Sequence, residues 1–290
     1  MTRMIEPGTL EDRAVGALVG LAVGDALGTS VEFRPRGSFT PVTGMRGGGA
    51  FNMPVGGWTD DTSMALALGE ALLQDRTLSD ASTLMNNWLS WWQHGHFSHT
   101  GDCFDIGNQT ASALGTWRDH GTFPEHEGWS AGNGGIMRLA PAVLAHLDTM
   151  AAAVHIAQRQ SDLTHRNATC RSIAADLATC LFRLIHAETV EIVSPMIASR
   201  ALADVKSTGY VLDTFEAALW AFAPADGFAA IVLRAVNLGD DADTVGAVAG
   251  QIAGAHYGMS GIPTEWLDAL IWRDDIIDLG RRLYRLSQER

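Results

Sequence analysis

Two short stretches of the sequence gather oxygen-bearing side chains, and each one opens a strongly apolar segment. The first covers residues 59–62 (TDDT), and the second covers residues 240–244 (DDADT). A single acid at such a place is typical of a helix N-cap, but two adjacent acids flanked by threonines exceed what a cap needs. Several carboxylates near a core are very unfavourable unless a cation offsets them. The two stretches therefore predict a site for bound divalent metal.

The candidate ligands are hard oxygen atoms, which suit Mg²⁺, Mn²⁺ or Ca²⁺ better than Zn²⁺. An EF-hand does not fit, because counting from Asp241 puts Val245 at the fifth position and Ile252 at the twelfth, where a calcium loop needs acids or amides. The tract from His94 to Cys103 holds three histidines without the spacing of a zinc site. A two-metal site that draws on both acidic stretches is the better hypothesis.

A third motif, SAGNGG at residues 130–135, precedes the helix-like segment IMRLAPAVLAHL. Small residues let a backbone approach a ligand, and a helix N-terminus offers free N–H groups to an anion such as a pyrophosphate. The motif is neither GxGxxG, because Met137 takes the last glycine position, nor a P-loop, because GK[ST] is missing. A plain turn is an equally good interpretation.

Three isolated residues are ambiguous when each is taken alone. Asp105 lies between apolar neighbours in CFDIG, and Glu32 follows the first apolar segment. Each acid could be a cap or a proton-transfer group. His165, in LTH, is more typical of a structural or surface histidine.

The elements that must position these residues are predicted to be helices, because the long segments are rich in Ala and Leu and strict alternation is scarce. The fold class is therefore all-α. The predicted helices cover residues 10–24, 62–74, 79–93, 136–147, 150–162, 167–187, 214–221, 227–237 and 244–257, with a last one from 263 onward. The segments AVGALVGLAVG and TVGAVAGQIAGA carry Gly or Ala on nearly every face, which favours two central helices in very close contact.

Composition limits the class of protein further. The chain has 290 residues, 47% of them hydrophobic, with nine prolines and no Ser/Pro/Gly-rich linker, which predicts one compact domain over residues 1–290. A net charge of −13 disfavours binding to nucleic acid or to an anionic membrane. Three cysteines without CxxC spacing favour a reducing cytoplasm. The apolar run at residues 14–24 is too short to cross a bilayer, and the acids before it do not fit a secretory signal.

Taken in order, six segments resemble the ADP-ribosylglycohydrolase family, and most closely its bacterial dinitrogenase reductase-activating glycohydrolase branch, which is of the ADP-ribosylarginine hydrolase type. The segments are GDALGTSVEF, GGWTDDTSMAL, CFDIGN, SAGNGGIMRLAP, DLTHR and NLGDDADTVGAVAGQIAGAHYG. The resemblance covers about residues 14–266. TDDT and DxDT at this separation, with the GNGG loop between them, form a specific combination.

The resemblance implies an all-α fold with two divalent metal ions, Mg²⁺ or Mn²⁺, in a cleft. The implied activity is hydrolysis of the N-glycosidic bond between ADP-ribose and an arginine of a modified protein, with ADP-ribose as product. The implied metal ligands are Thr59, Asp60, Asp61, Asp241, Asp243 and Thr244, with Asp243 shared by both ions. The implied catalytic acids are Asp105 and Glu32. The implied substrate contacts are Ser130, Ala131, Gly132, Asn133 and Gly134 for phosphate and His165 for ribose. The resemblance assigns no residue to adenine, and Trp129 is the candidate considered for that contact.

Other functions remain open at this point. A relative could act on O-linked ADP-ribose, such as ADP-ribosyl serine or O-acetyl-ADP-ribose. A degenerate relative could bind ADP-ribose without turnover. Clustered carboxylates also suit a metal-dependent phosphohydrolase, which would release AMP or phosphate in place of intact ADP-ribose.

Overall fold

Two helices with glycine on their facing sides form the centre of the molecule. The computed structural model describes residues 5–123, 127–188 and 193–289. Helix α1 (Leu10–Gly28) runs antiparallel to helix α12 (Ala242–Tyr257), and both are buried along almost their whole length. A methyl group on Gly24 would lie 2.0 Å from the carbonyl oxygen of Gly246. Only residues without a side chain allow this approach, and the prediction of two closely packed central helices is confirmed.

The other helices surround this pair. Their bounds are α2 Asp60–Gln74, α3 Ser82–His94, α4 Asn108–His120, α5 Gly134–Met137, α6 Ala140–Leu144, α7 Met150–Asp162, α8 Ala168–Ile185, α9 Pro195–Ala198, α10 Val211–Phe222, α11 Phe228–Val236, α13 Thr264–Ala269 and α14 Arg273–Gln288. Helices α10 and α11 pack beside α12, whereas α2 and α14 pack beside α1. Short 3₁₀ helices cover Leu202–Asp204 and Met259–Gly261.

The all-α prediction is confirmed. Over the described ranges, extended pairing is limited to two isolated antiparallel bridges, Gly48 with Met53 and Gly132 with Tyr210. The second bridge ties the segment before α5 to the start of α10. No described helix is long and apolar enough to cross a membrane.

Several predicted boundaries were wrong for identifiable reasons. The helix predicted over 136–147 is two short helices, α5 and α6, because the ring of Pro141 would clash with the carbonyl of Met137 in a continuous helix. The helix predicted from 263 onward is also two, α13 and α14, separated by Trp272 in a left-handed conformation (φ +59°). Helix α4 was not predicted, because its sequence is polar and buries few side chains.

Candidate active site

The start of α2 is held by a buried carboxylate from α1. Asp25 is completely buried and accepts hydrogen bonds from the backbone N–H and hydroxyl of Thr59, both at 2.9 Å. It also accepts from the backbone N–H of Thr62 at 3.1 Å and from the Thr62 hydroxyl at 2.6 Å. The Thr59 side chain makes no cap bond of its own. Asp25 therefore replaces the N-cap and fixes the direction in which the next two acids point.

Asp25 was missed as a functional residue. The sequence contains little indication of its role, because one acid at the end of an apolar run is typical of a helix boundary. The stronger signal is that an uncompensated carboxylate does not belong within a Gly/Ala helix, so it had to have partners elsewhere in the chain.

The start of α12 is held by different contacts. The backbone N–H of Asp241 donates to the carbonyl of Ser207 at 2.9 Å, and its carboxylate accepts from the Asn133 side-chain amide at 2.5 Å. The side chain of Asp241 makes no cap bond to α12. One helical turn of α1 separates Asp25 from Gly28, which contacts the backbone of Ala242.

The two acidic stretches meet, as the sequence predicted. The Thr244 hydroxyl lies 3.3 Å from a carboxylate oxygen of Asp61, and the Thr59 hydroxyl lies 3.4 Å from one of Asp243. These four residues are buried. The first turns of α2 and α12 thus form one oxygen-rich cluster.

Two further acids reach this cluster from loops. One carboxylate oxygen each from Glu32, Asp105 and Asp243 lie within 4.8 Å of one another. Glu32 is buried just after α1, whereas Asp105 is half-buried and has a left-handed backbone (φ +58°), which is costly for a residue other than glycine. A cavity of about 200 Å³ opens beside them. It is lined by Glu32, Phe33, Asp60, Asp105, Gly107, Thr110, Asn133, Gly134, Met137, His165, Gly209, Asp241, Asp243 and Thr244.

Burial and mutual repulsion strongly disfavour the ionised forms of the carboxyl groups in this cluster. Burial, followed by the charges of Asp105 and Asp241, raises the pKa of Glu32 to about 10. Burial, followed by the charges of Asp25 and Asp241, raises the pKa of Asp105 to about 7. The pKa values of Asp60, Asp61 and Asp243 are also raised, chiefly by burial.

The donor set fits a divalent cation. One oxygen each of Glu32, Asp61 and Asp243 is buried without a hydrogen-bond partner. Buried acceptors of this kind are costly, and a hard cation satisfies both their charge and their lone pairs. Among the described residues, Glu32, Asp105 and Asp243 are the group of three metal-ligating side chains that are close enough to share one ion.

The histidine tract does not take part in this cluster. Nε2 of His99 lies 3.0 Å from the carbonyl oxygen of Trp58 and 3.2 Å from its backbone nitrogen, and the His99 ring packs edge-on against the Trp58 ring, 4.7 Å between centroids. Its role is to support the turn before α2.

The SAGNGG segment lies against the cluster, but its glycines serve a purpose that the sequence did not reveal. A methyl group on Gly134 would lie 2.4 Å from Cε1 of His165, so this glycine makes room for the buried imidazole. Helix α5, which begins at Gly134, has only four residues, and the long helix predicted after this motif is absent there. Asn133 joins the segment to Asp241.

The remaining predicted contacts lie around this segment. Ser130 is exposed, and its carbonyl accepts from the Gln109 side chain at 3.4 Å. Ala131 is half-buried, and its carbonyl accepts from the backbone N–H of Val211 at 2.9 Å. Trp129 is fully exposed, whereas His165 is buried and lines the cavity. Of the two interpretations of His165 from the sequence, as a structural or a surface histidine, the surface one is therefore wrong.

An all-helical fold with a buried acidic cavity suited to hard cations defines the class of this protein. The ADP-ribosylglycohydrolase family model matches residues 6–290, and the chain belongs to that family.

The relatives are similar over nearly the whole chain. An ADP-ribosylarginine hydrolase of Pseudomonas putida is 41% identical over 94% of this chain and 78% of its own length. An ADP-ribosyl-[dinitrogen reductase] glycohydrolase of Rhodospirillum rubrum is 34% identical over 90% of this chain and 91% of its own. A solved structure described as an ADP-ribosylglycohydrolase-related protein complex superposes with a TM-score of 0.82, at 37% identity, over 96% of this chain and 99% of that one. The family resemblance drawn from the sequence is confirmed.

Proposed function

We propose that the protein is a metal-dependent ADP-ribosylarginine hydrolase that removes ADP-ribose from the arginine side chains of modified proteins. The observation that carries this proposal is the convergence of Glu32, Asp105 and Asp243 on one small cavity. The arginine linkage is supported by relatives that bear this activity in their names. One domain over residues 1–290 and a cytoplasmic location stay predictions, and the free cysteines fit a reducing compartment.

Two divalent ions, Mg²⁺ or Mn²⁺, would be held between the two helix starts. The ligands would be Thr59, Asp60 and Asp61 on one side and Asp241, Asp243 and Thr244 on the other, with Asp243 between the ions. When bound, such ions fix the ribose hydroxyl groups and stabilise negative charge that develops on oxygen. The orphaned oxygens of Asp61 and Asp243 support this arrangement.

The chain's own acids move the protons. The bond that breaks joins the anomeric carbon of ribose to a guanidine nitrogen, and the bond that forms joins that carbon to the oxygen of water. One carboxyl group gives a proton to the departing nitrogen, and one carboxylate takes a proton from water. Asp105 and Glu32 are proposed for these two roles, in either order. Asp105, whose pKa is raised to about 7, can hold or release a proton near neutral pH.

The segment 130–134 and His165 are proposed to bind the rest of ADP-ribose. Gly134 and Gly135 lie in the first turn of α5, where backbone N–H groups have no acceptor within the helix, so they can donate to phosphate oxygens. The Asn133 contact to Asp241 links this segment to the cluster. The exposed ring of Trp129, next to Ser130, is proposed to contact adenine.

The proposal is tested by comparing Asp243→Asn with Asp105→Asn. The first change removes a charge that both ions need, so metal affinity and turnover should fall together. The second should keep metal and ADP-ribose binding while kcat falls about 10² to 10⁴-fold, as is typical for loss of a general acid or base. Calorimetric titration with Mn²⁺ and rates on an ADP-ribosyl-arginine peptide give both readouts. Asp102→Asn, an exposed substitution in the same loop, is the matched control.

The result that would overturn these roles is loss of metal binding in Asp105→Asn with its retention in Asp243→Asn. Arginine-, serine- and acid-linked ADP-ribosyl peptides should be compared in the same assay, with metal and after chelation. Intact ADP-ribose released from the arginine peptide alone supports the proposal. Release of AMP or phosphate would identify a phosphohydrolase, and full activity after thorough demetallation would exclude metal dependence.

A further inference from the structure

A buried arginine lies behind the cavity. The Arg138 side chain is completely buried, and its guanidinium lies 4.0 Å from the centre of the Trp88 ring. Its Nε donates to the side-chain oxygen of Gln160 at 2.9 Å, and one terminal nitrogen donates to the Gln160 carbonyl at 3.2 Å. A cation buried so deeply must be closely partnered, which fixes its position.

The same arginine nitrogen contacts a buried threonine. Nη2 of Arg138 lies 2.7 Å from the hydroxyl oxygen of Thr164. A guanidinium can only donate hydrogen bonds, so the threonine oxygen must accept this one. The hydroxyl proton of Thr164 therefore points away from Arg138.

The threonine hydroxyl is also in contact with the neighbouring imidazole. Thr164 Oγ1 lies 2.8 Å from Nδ1 of His165. The oxygen has a second lone pair, but the buried hydroxyl also needs an acceptor for its own proton, and Nδ1 is the acceptor in contact with it, so the arrangement that satisfies the hydroxyl has it donating to Nδ1. Nδ1 is then unprotonated, and the ring proton is carried by Nε2.

The Nε2 edge of His165 faces the segment proposed to bind substrate. A methyl group on Gly132 would lie 3.2 Å from Nε2, and one on Gly134 would lie 2.8 Å from it. His165 also lines the acidic cavity. Burial and the charge of Arg138 lower the pKa of His165 to about 3, so the ring stays neutral at physiological pH.

We propose that Thr164 and Arg138 are positioning residues that hold His165 in its Nε2–H form, with that N–H available to donate to an oxygen of ADP-ribose. Both side chains are buried, and both act through the His165 ring. This inference rests on the proposed function only for the identity of the ligand, because the arrangement of protons exists in the free protein.

The first test is the protonation state of His165 in the wild-type protein. Nitrogen-15 NMR of labelled histidines distinguishes Nε2–H from Nδ1–H, and His165→Asn assigns the signals. The proposal requires Nε2–H in the wild type. In Thr164→Val, which keeps the shape but loses the hydroxyl, the Nδ1–H form should become populated, and Thr164→Ser should restore the wild-type spectrum.

The second test is calorimetric binding of ADP-ribose at saturating Mg²⁺. Loss of one well-placed donor should weaken affinity about tenfold in Thr164→Val, with recovery in Thr164→Ser. Thr179→Val is the matched control, because its hydroxyl donates to Ala175 within α8 and should change neither readout.

An Nδ1–H form of His165 in the wild type overturns the proposal, even if Thr164→Val fails to fold. An unchanged spectrum and unchanged ADP-ribose affinity in a folded Thr164→Val overturn it as well. The proposed function fails separately, through absence of hydrolysis of the arginine peptide by the wild type, whatever the NMR result.

Discussion

The two acidic helix starts are held by different physical means. The start of α2 depends on hydrogen bonds, since Asp25 accepts from the backbone and hydroxyl groups of Thr59 and Thr62. The start of α12 combines close packing of Gly28 against the backbone of Ala242 with hydrogen bonds of Asp241 to Ser207 and Asn133. The α2 side of the cluster is thus positioned by one buried carboxylate of α1, whereas α1 contacts the α12 side through a residue without a side chain.

This difference separates two kinds of sensitivity. Removing the charge of Asp25 should loosen α2 without moving α12, whereas adding a methyl group between α1 and α12 should displace both helices. Two carboxylates of the same cluster also differ in how completely they are hydrogen-bonded. Asp25 is fully hydrogen-bonded, while Asp61 keeps a buried oxygen without a partner.

The largest effect is expected from Gly24→Val. Its side chain would start 2.0 Å from the Gly246 carbonyl oxygen, a backbone atom that cannot rotate aside as a side chain can, so the two helices must move apart. We expect the free energy of unfolding to fall by at least about 3 kcal/mol, measured by urea denaturation. Gly115→Ala in α4 is the control, because nothing lies within 4 Å of its added methyl group, and it should gain about 0.5–1 kcal/mol. Equal stability of the two variants would contradict the close packing.

Smaller changes in the free energy of unfolding, of opposite sign, are expected from Asp25→Asn and Asp61→Asn in the metal-free protein. The first replaces an acceptor oxygen by a donor amide that faces N–H and O–H groups, so stability should fall by about 2 kcal/mol. The second removes a buried carboxylate whose pKa is raised well above its usual value, so stability should rise while metal affinity falls. Denaturation after chelation, combined with Mn²⁺ titration, checks both signs. Destabilisation of both variants alike would mean that the two acids have the same role.

The smallest effect is the pH dependence of the stabilisation by metal. The pKa values of Asp25 (about 6) and Asp105 (about 7) are raised in the folded metal-free protein. That state therefore binds more protons than the unfolded chain, and these acids contribute stability at low pH that is lost as pH rises through 6 to 7. The positive charge of Mg²⁺ bound nearby would favour the ionised forms of both acids, so the loaded protein would hold fewer protons, and its stability advantage over the metal-free protein should grow from about pH 5.5 to 8. The growth is at most about 1.4 kcal/mol per pH unit for each proton displaced. Thermal denaturation with Mg²⁺ and with chelator measures it, and a difference that shrinks with pH would contradict the sign.

The sequence predicts features of the structure that follow from the residue types within one short segment. Gly or Ala on nearly every face of two segments predicts close contact between α1 and α12, and the TDDT and DDADT stretches predict a shared acidic cluster. The role of Asp25 could not be predicted, because its partners lie more than thirty residues away and its own neighbours are apolar. The steric role of Gly134 could not be predicted for a similar reason. The space that it leaves is filled by His165, from a segment that the chain reaches only after two more helices.

The packing of α1 against α12 also determines when the acidic cluster can form during translation. The amino-terminal end of a chain leaves the ribosome first, so the glycine face of α1 is exposed when α1 is synthesised. This face can pack against α12 only after almost the whole chain has been translated. Contacts between such distant segments form late, because the long intervening chain must first be ordered. The first acidic stretch, which includes Thr59, Asp60 and Asp61, is translated early. The second acidic stretch, which it contacts, belongs to the start of α12, and this helix ends at Tyr257 and is translated late. The proposed metal ions would therefore bind to a nearly complete chain, and a chain that stops short of α12 would leave α1 exposed and lack half of the proposed ligands.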